Sequence, residues 1–239
     1  MVRDTVAEAT ATAGNAFRLR ATDVTRLEAF SDAVFAFALA LLVVSVDVPK
    51  TTAELFATLR DFPAFGLTFA MLVWLWQMHV VYFRRYGLDD AFTTWLNAVL
   101  LFVILFYVYP LKFLFTELYR VFTGGGWAVA FGDGRALMAV YSAGFVAVFL
   151  MFALLYGHAL RLRERLDLTP KELILTRATR DSHLILAMLG VVSLLLLTGR
   201  PAWTVPLSGF LYGLIGPLMS WHWRRVRRAM NAVSEASPG

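Results

Sequence analysis

Fourteen consecutive residues, 33–46, carry no charge between Asp32 and Asp47, and Pro49 closes the run. A helix crossing lipid needs about 20 apolar residues, so this one spans only if it takes Asp32 into the membrane. A carboxylate at that depth costs about 2.5–3.5 kcal/mol unless it faces protein or water. The first helix, predicted to start at Arg26, therefore belongs inside a bundle with its polar end engaged by neighbours.

The chain has the spans to supply those neighbours. Of its 239 residues, 59% are hydrophobic and 16% charged, against about 45–50% apolar in a soluble domain. The fold class is therefore an all-α integral membrane protein. A second span is predicted over 62–83 after a short polar stretch, 51–61, that suits a surface helix. A third follows over 91–111, with Pro110 near its end and an amphipathic extension to 122. Gly124-Gly125-Gly126 and Asp133-Gly134 mark a loop. Further spans are predicted between Arg135 and Arg161, Asp181 and Arg200, and Arg200 and Arg224, which makes six.

Basic residues set the orientation. With both termini cytoplasmic, the inner side holds Arg3, Arg18, Arg20 and Arg26, then Arg84 and Arg85, six from Arg161 to Arg180, and four in Arg224–Arg228. That is sixteen of the 22 Lys and Arg, so the chain reads as a multi-pass protein of the cell membrane. Residues 1–25 form a cytoplasmic segment whose first dozen residues read as disordered, 26–229 the membrane domain, and 230–239 a disordered tail. No cleaved leader is evident, so the first helix is expected to act as the insertion signal. The net charge of +5 brackets apolar runs and does not form a nucleic-acid surface. There is no cysteine, hence no disulfide framework, thiolate metal site or thiol catalysis. The spans hold no Ser–His pair, di-aspartate signature or metal cluster, so neither an enzyme nor a bound cofactor is expected. His158, His183 and His222 share no metal spacing and read as interface residues.

At about 100° per residue, the first helix has two stripes. Phe30, Val34, Phe37, Leu41 and Val44 form a bulky one, and Ala29, Ala33, Ala36 and Ala40 a small one that lets another helix approach closely. The bulky stripe suits either lipid or a central axis, and pattern alone does not choose. Asp32 lies about 140° from Phe37 and is expected to point into the bundle. Counted along their helices, Ser31, Asp32, His79 and Asn97 fall at one depth, where a carboxylate, an imidazole and an amide can satisfy one another. Such a layer either locks helices together or takes part in gating or proton sensing.

Arg26-x-x-x-Phe30-Ser31-Asp32, followed by Ala-Val-Phe-Ala-Phe-Ala-Leu-Ala-Leu-Leu-Val, resembles the signature and pore helix of the transmembrane protein 175 family of potassium channels. The likeness continues through Trp76-x-x-His79-x-x-x-Phe83, an acidic residue at 89 or 90, Asn97 and Pro110. It implies a six-helix subunit in a homotetramer, embedded in the bilayer, whose four first helices line a pore for potassium. The family's hydrophobic constriction falls on Phe37, Leu41 and Val44, the bulky stripe. No T-V-G-Y-G filter is present, so carbonyl-ring selection is not expected. Two positions depart from the family's habit: Phe37 replaces an Ile or Leu, and Ala40 replaces a common Thr.

Arg26 projects to nearly the same face as Phe37, where a cation path would not favour it. Glu28 of a neighbouring copy and lipid phosphate are its candidate partners. The leading expectation is a potassium-preferring channel with no small-molecule substrate beyond monovalent cations. The alternative is a proton channel or proton-coupled carrier using Asp32, His79 and Asn97.

Overall fold

A computed structural model of the chain describes residues 17–21, 23–45, 48–124, 131–199, 201 and 203–235. The described residues hold seven α-helices and one 3₁₀ turn and no strand. They are α1 Arg26–Val44, α2 Thr52–Tyr86, α3 Ala91–Phe122, α4 Phe131–Arg161, α5 Pro170–Leu197, α6 Thr204–Phe210, the 3₁₀ turn Leu211–Leu214, and α7 Ile215–Glu235. Among the described residues, five stretches are long and apolar enough to cross a membrane: Arg26–Val44, Phe62–Tyr86, Ala91–Val121, Gly134–Arg161 and Pro170–Leu197.

Local signals set the helix ends. Thr25 caps α1 by accepting from the Glu28 N–H while the Glu28 carboxylate accepts from the Thr25 N–H, a reciprocal box that satisfies two otherwise orphaned donors. Thr169 and Glu172 repeat it at α5. That box starts α5 at Pro170, eleven residues before the expected boundary at Asp181. Thr51 caps α2, so the polar stretch 51–61 is the first part of that helix and not a separate one. Gly87 ends α2 with φ +58°, a left-handed conformation that other residues adopt at a cost.

Asp133-Gly134, expected in a loop, lies within α4. Gly124 has the positive φ of a turn, while Gly125 and Gly126 lie outside the described residues. The sixth expected span is not a single long apolar helix; α6, the 3₁₀ turn and α7 share it. Pro217 has no N–H for the Gly213 carbonyl one turn back, and this lapse in the ladder accompanies the tighter winding at Leu211–Leu214. The tail expected to be disordered from 230 is helical to Glu235, since the first breakers are Pro238 and Gly239. Residues 236–239 and 1–16 lie outside the described residues.

Packing proceeds outward from α1. This helix rests on α2 and α3, α3 meets α4, and α4 and α5 form the most extensive pair, with α6 and α7 against α5. A Cβ at Gly144 would collide with the Tyr107 ring, so glycine there lets α3 and α4 close together. Tyr82, Tyr86, Phe149 and Phe152 are almost fully buried in the core between α2, α4 and α5.

Residues 17–21 strap one end of the bundle. The Arg20 and Ala21 N–H groups both donate to the Arg84 carbonyl. The Arg20 guanidinium donates to both oxygens of Glu172, at 3.0 and 2.8 Å, and to the Leu166 carbonyl. Phe17 packs edge-on to Tyr86. The segment expected to be a plain cytoplasmic leader therefore stitches α2 to α5 just before α1 begins.

Candidate functional site

One face of α1 is committed to its own bundle. Glu28, Ser31, Phe35, Ala38 and Leu42 recur at intervals of three and four and are all buried, which is one side of a 3.6-residue helix. Phe35, Ala38 and Leu42 are each no more than 2% exposed. The bulky stripe is turned away: Phe30 is 59%, Phe37 57% and Val44 77% exposed, and Leu41 is half-buried. Ala29, Ala33, Ala36 and Ala40 are exposed as well. Among the described residues, no helix covers the surface they offer.

Ser31, His79 and Asn97 meet from three helices and are buried, at most 1% exposed. The Ser31 hydroxyl donates to the Leu27 carbonyl, which leaves its oxygen to accept from Asn97 Nδ2 at 2.9 Å. Asn97 Oδ1 then faces His79 Nε2 at 2.8 Å. An amide oxygen only accepts, so the proton of the neutral imidazole sits on Nε2. His79 Nδ1 has no partner among the described residues. Phe35 and Phe83 flank the ring with centroids 5.6 and 4.5 Å away. The result is a neutral chain of hydrogen bonds that joins α1, α2 and α3 at the depth given by residue counting.

Asp32 is not part of that chain, contrary to expectation. One residue of helix turns it about 100° from Ser31, out of the buried face, and it is exposed. Its Oδ1 accepts from Trp76 Nε1 at 2.7 Å. Trp76 lies one turn before His79 on α2, so α2 holds Asp32 directly through Trp76 and reaches Ser31 only through Asn97 of α3. Arg26 is exposed and forms no ion pair among the described residues. Glu28, one of its two candidate partners, is buried and spends its carboxylate on the Thr25 N–H.

Lys112 and Arg20 were not singled out by sequence. Lys112 Nζ donates to the carbonyl and hydroxyl oxygens of Ser45, both at 2.8 Å, and so ties the far end of α1 to α3. A cation set in an otherwise apolar helix is the signal for it. The Thr-x-x-Glu spacing at 169–172 signals the cap that presents Glu172 to Arg20. Asp47, which closes the uncharged run of the first helix, lies outside the described residues.

The endosomal/lysosomal potassium channel TMEM175 family model matches residues 26–107. A potassium channel of Marivirga tractuosa is 38% identical over 218 residues, covering 85% of this chain and 87% of that one. A potassium channel of Streptomyces collinus is 30% identical over 200 residues, 80% of this chain and 88% of that one. Among solved structures, the T38A variant of the potassium channel MtTMEM175, in complex with a nanobody–MBP fusion, superposes with a TM-score of 0.80 at 36% identity, covering 90% of this chain and 98% of that one. The lysosomal potassium-selective channel TMEM175 homologue from Chamaesiphon minutus gives 0.54 at 25% identity, over 84% and 96%.

Proposed function

The chain belongs to the TMEM175 family of potassium channels, which are not enzymes, and from that premise we propose that it conducts potassium as a homotetramer through a neck on α1. Four copies of α1 would surround the axis, with Phe37, Leu41 and Val44 as the constriction. The observation that supports this reading is the uncovered outer surface of α1. A helix with a carboxylate at membrane depth, and with Phe30, Phe37, Val44 and the four alanines exposed, is stable in lipid when other copies cover it. The Ser31–Asn97–His79 chain would hold the back of α1 so that its front is presented at a fixed angle.

An apolar neck offers an ion no ligands, so passage requires either partial dehydration or a wetted neck, and gating follows from dewetting. Potassium sheds water at lower cost than sodium, which favours it in a narrow dry passage. The sixth crossing would be the compound element, since residues 204–223 cover about 30 Å at 1.5 Å each. Residues 26–229 then act as one membrane domain with both termini on the basic, cytoplasmic side of the cell membrane. A proton path through Asp32, His79 and Asn97 has less support, because Asp32 is bonded to Trp76 and lies off the His79–Asn97 chain.

Flux from potassium-loaded liposomes tests the proposal. Phe37→Ala and Leu41→Ala are expected to raise flux or to bring sodium flux toward that of potassium, while Asp32→Asn leaves any pH-driven flux unaltered. Because the chain lacks cysteine, Phe37→Cys should also give oxidised cross-linked dimers. Unchanged ion ratios in both neck variants, with no cross-linking, would sink the proposal.

A further inference from the structure

On the side of the bundle away from α1, a groove of about 220 Å³ runs along α4 and α5 beside the start of α3. Its rim and its floor differ in chemistry. At the rim stand Arg161, the last residue of α4, and Arg180 of α5, with His158 beneath them. Arg161 is exposed and has no ion pair among the described residues. Arg180 gives Nε and one terminal nitrogen to a single oxygen of Asp181, which leaves its other terminal nitrogen for a second acceptor. His158 is held at 3.0 Å from Asp90. That carboxylate is already engaged by the Phe92 and Thr93 N–H groups and the Thr93 hydroxyl.

The floor is apolar. Leu154 and Leu150 lie seven and eleven residues before Arg161, about 10 and 16 Å down the helix, and Leu184 faces them from α5. These leucines are 37–41% exposed. A Cβ at Gly157 would meet nothing within 4 Å, so the groove is open along that line. The depth matches half of a hydrocarbon core about 30 Å thick. Two guanidinium groups, Arg161 at the end of α4 and Arg180 eleven residues into α5, above an apolar channel about one leaflet deep complement a single molecule, a negatively charged headgroup with a hydrocarbon tail.

We propose that this groove holds one acyl chain of an anionic phospholipid, with its phosphate between Arg161 and Arg180. The site requires only that the chain spans a membrane, so it stands apart from conduction. A lipid seated there would bridge α4, α5 and the start of α3 at the end of the bundle where the Arg20–Glu172 strap also lies.

Native mass spectrometry of the full chain in detergent, with dioleoyl phosphatidylglycerol or dioleoyl phosphatidylcholine added at equal concentration, tests the site. The wild type should retain phosphatidylglycerol preferentially. Arg161→Gln with Arg180→Gln should weaken that retention about 5-fold per arginine, from the worth of a basic residue near anionic lipid, without changing phosphatidylcholine. Gly157→Leu should weaken retention of both lipids by filling the groove, and water-soluble glycerol 3-phosphate should displace neither. Equal retention of the two lipids by the wild type overturns the proposal. So does undiminished phosphatidylglycerol binding in Gly157→Leu, a variant that keeps the test decisive if the double arginine variant fails to fold. Loss of binding in Arg224→Gln with Arg225→Gln, but not in the groove variants, would move the site to α7 and overturn it equally.

Discussion

Two polar clusters hold α1 and its approach in place, and they use opposite chemistry. Ser31, Asn97 and His79 form a neutral chain, buried one to two turns inside their helices, where a full charge would cost several kcal/mol. Arg20 and Glu172 are a full ion pair, with side chains 11% and 2% exposed. They lie at the helix ends, where the guanidinium finds further acceptors at the Leu166, Asp167 and Arg18 carbonyls. Depth explains the difference. In the apolar interior only a chain in which each donor meets an acceptor is tolerable, while at the rim a charge can be shared among many oxygens.

The sharpest way to break the comparison is to leave one buried charge alone. Arg20→Met strands Glu172 and should cost about 3 kcal/mol, seen as a lower melting temperature of the full chain in detergent by tryptophan fluorescence. Asn97→Leu should cost less, about 2 kcal/mol, because it strands the neutral His79 N–H. If Asn97→Leu proved the more damaging, the neutral layer and not the ion pair would be the main fastening.

Asp90 and His158 offer an intermediate case, with side chains 29% and 14% exposed. Burial pushes the Asp90 carboxyl up, but hydrogen bonds from His158 and from the Thr93 backbone and hydroxyl outweigh it and hold the group below its ordinary 3.8. A lowered carboxylate stabilises the fold fully above the unfolded value, and that contribution fades as pH falls below 3.8 through the lowered one. Acid unfolding of Asp90→Asn should therefore show a shallower loss than wild type in that range. The smallest effect is expected at Arg18, whose pair with Asp167 is 59% and 88% exposed. Arg18→Gln should shift stability by less than about 0.5 kcal/mol, two residues from the largest effect.

Helical periodicity and residue counting made much of this legible. Apolar run length located five of the spans, and the depths of Ser31, His79 and Asn97 brought them together before any coordinates did. Asp32 was misplaced because depth says nothing of azimuth, and one residue of helix turns it about 100°, out of the buried face that Ser31 occupies. The break at Leu211–Leu214 was missed because hydropathy does not register Pro217 removing a donor. Arg20 was hidden for another reason: its partner is 152 residues away, and nothing local in a polar leader reveals a contact at that range.

The strap and Lys112 together have a mechanical consequence for α1. Arg20 and Ala21 are anchored to α2 and α5 at one end, and Ser45 is anchored to α3 at the other. Between them α1 is a beam clamped at both supports. Sliding along its axis would have to tear out one clamp, and turning about it would have to part Ser31 from Asn97 and Asp32 from Trp76. The helix that carries Phe37 is therefore fastened before its start, near Ser31 and at Ser45.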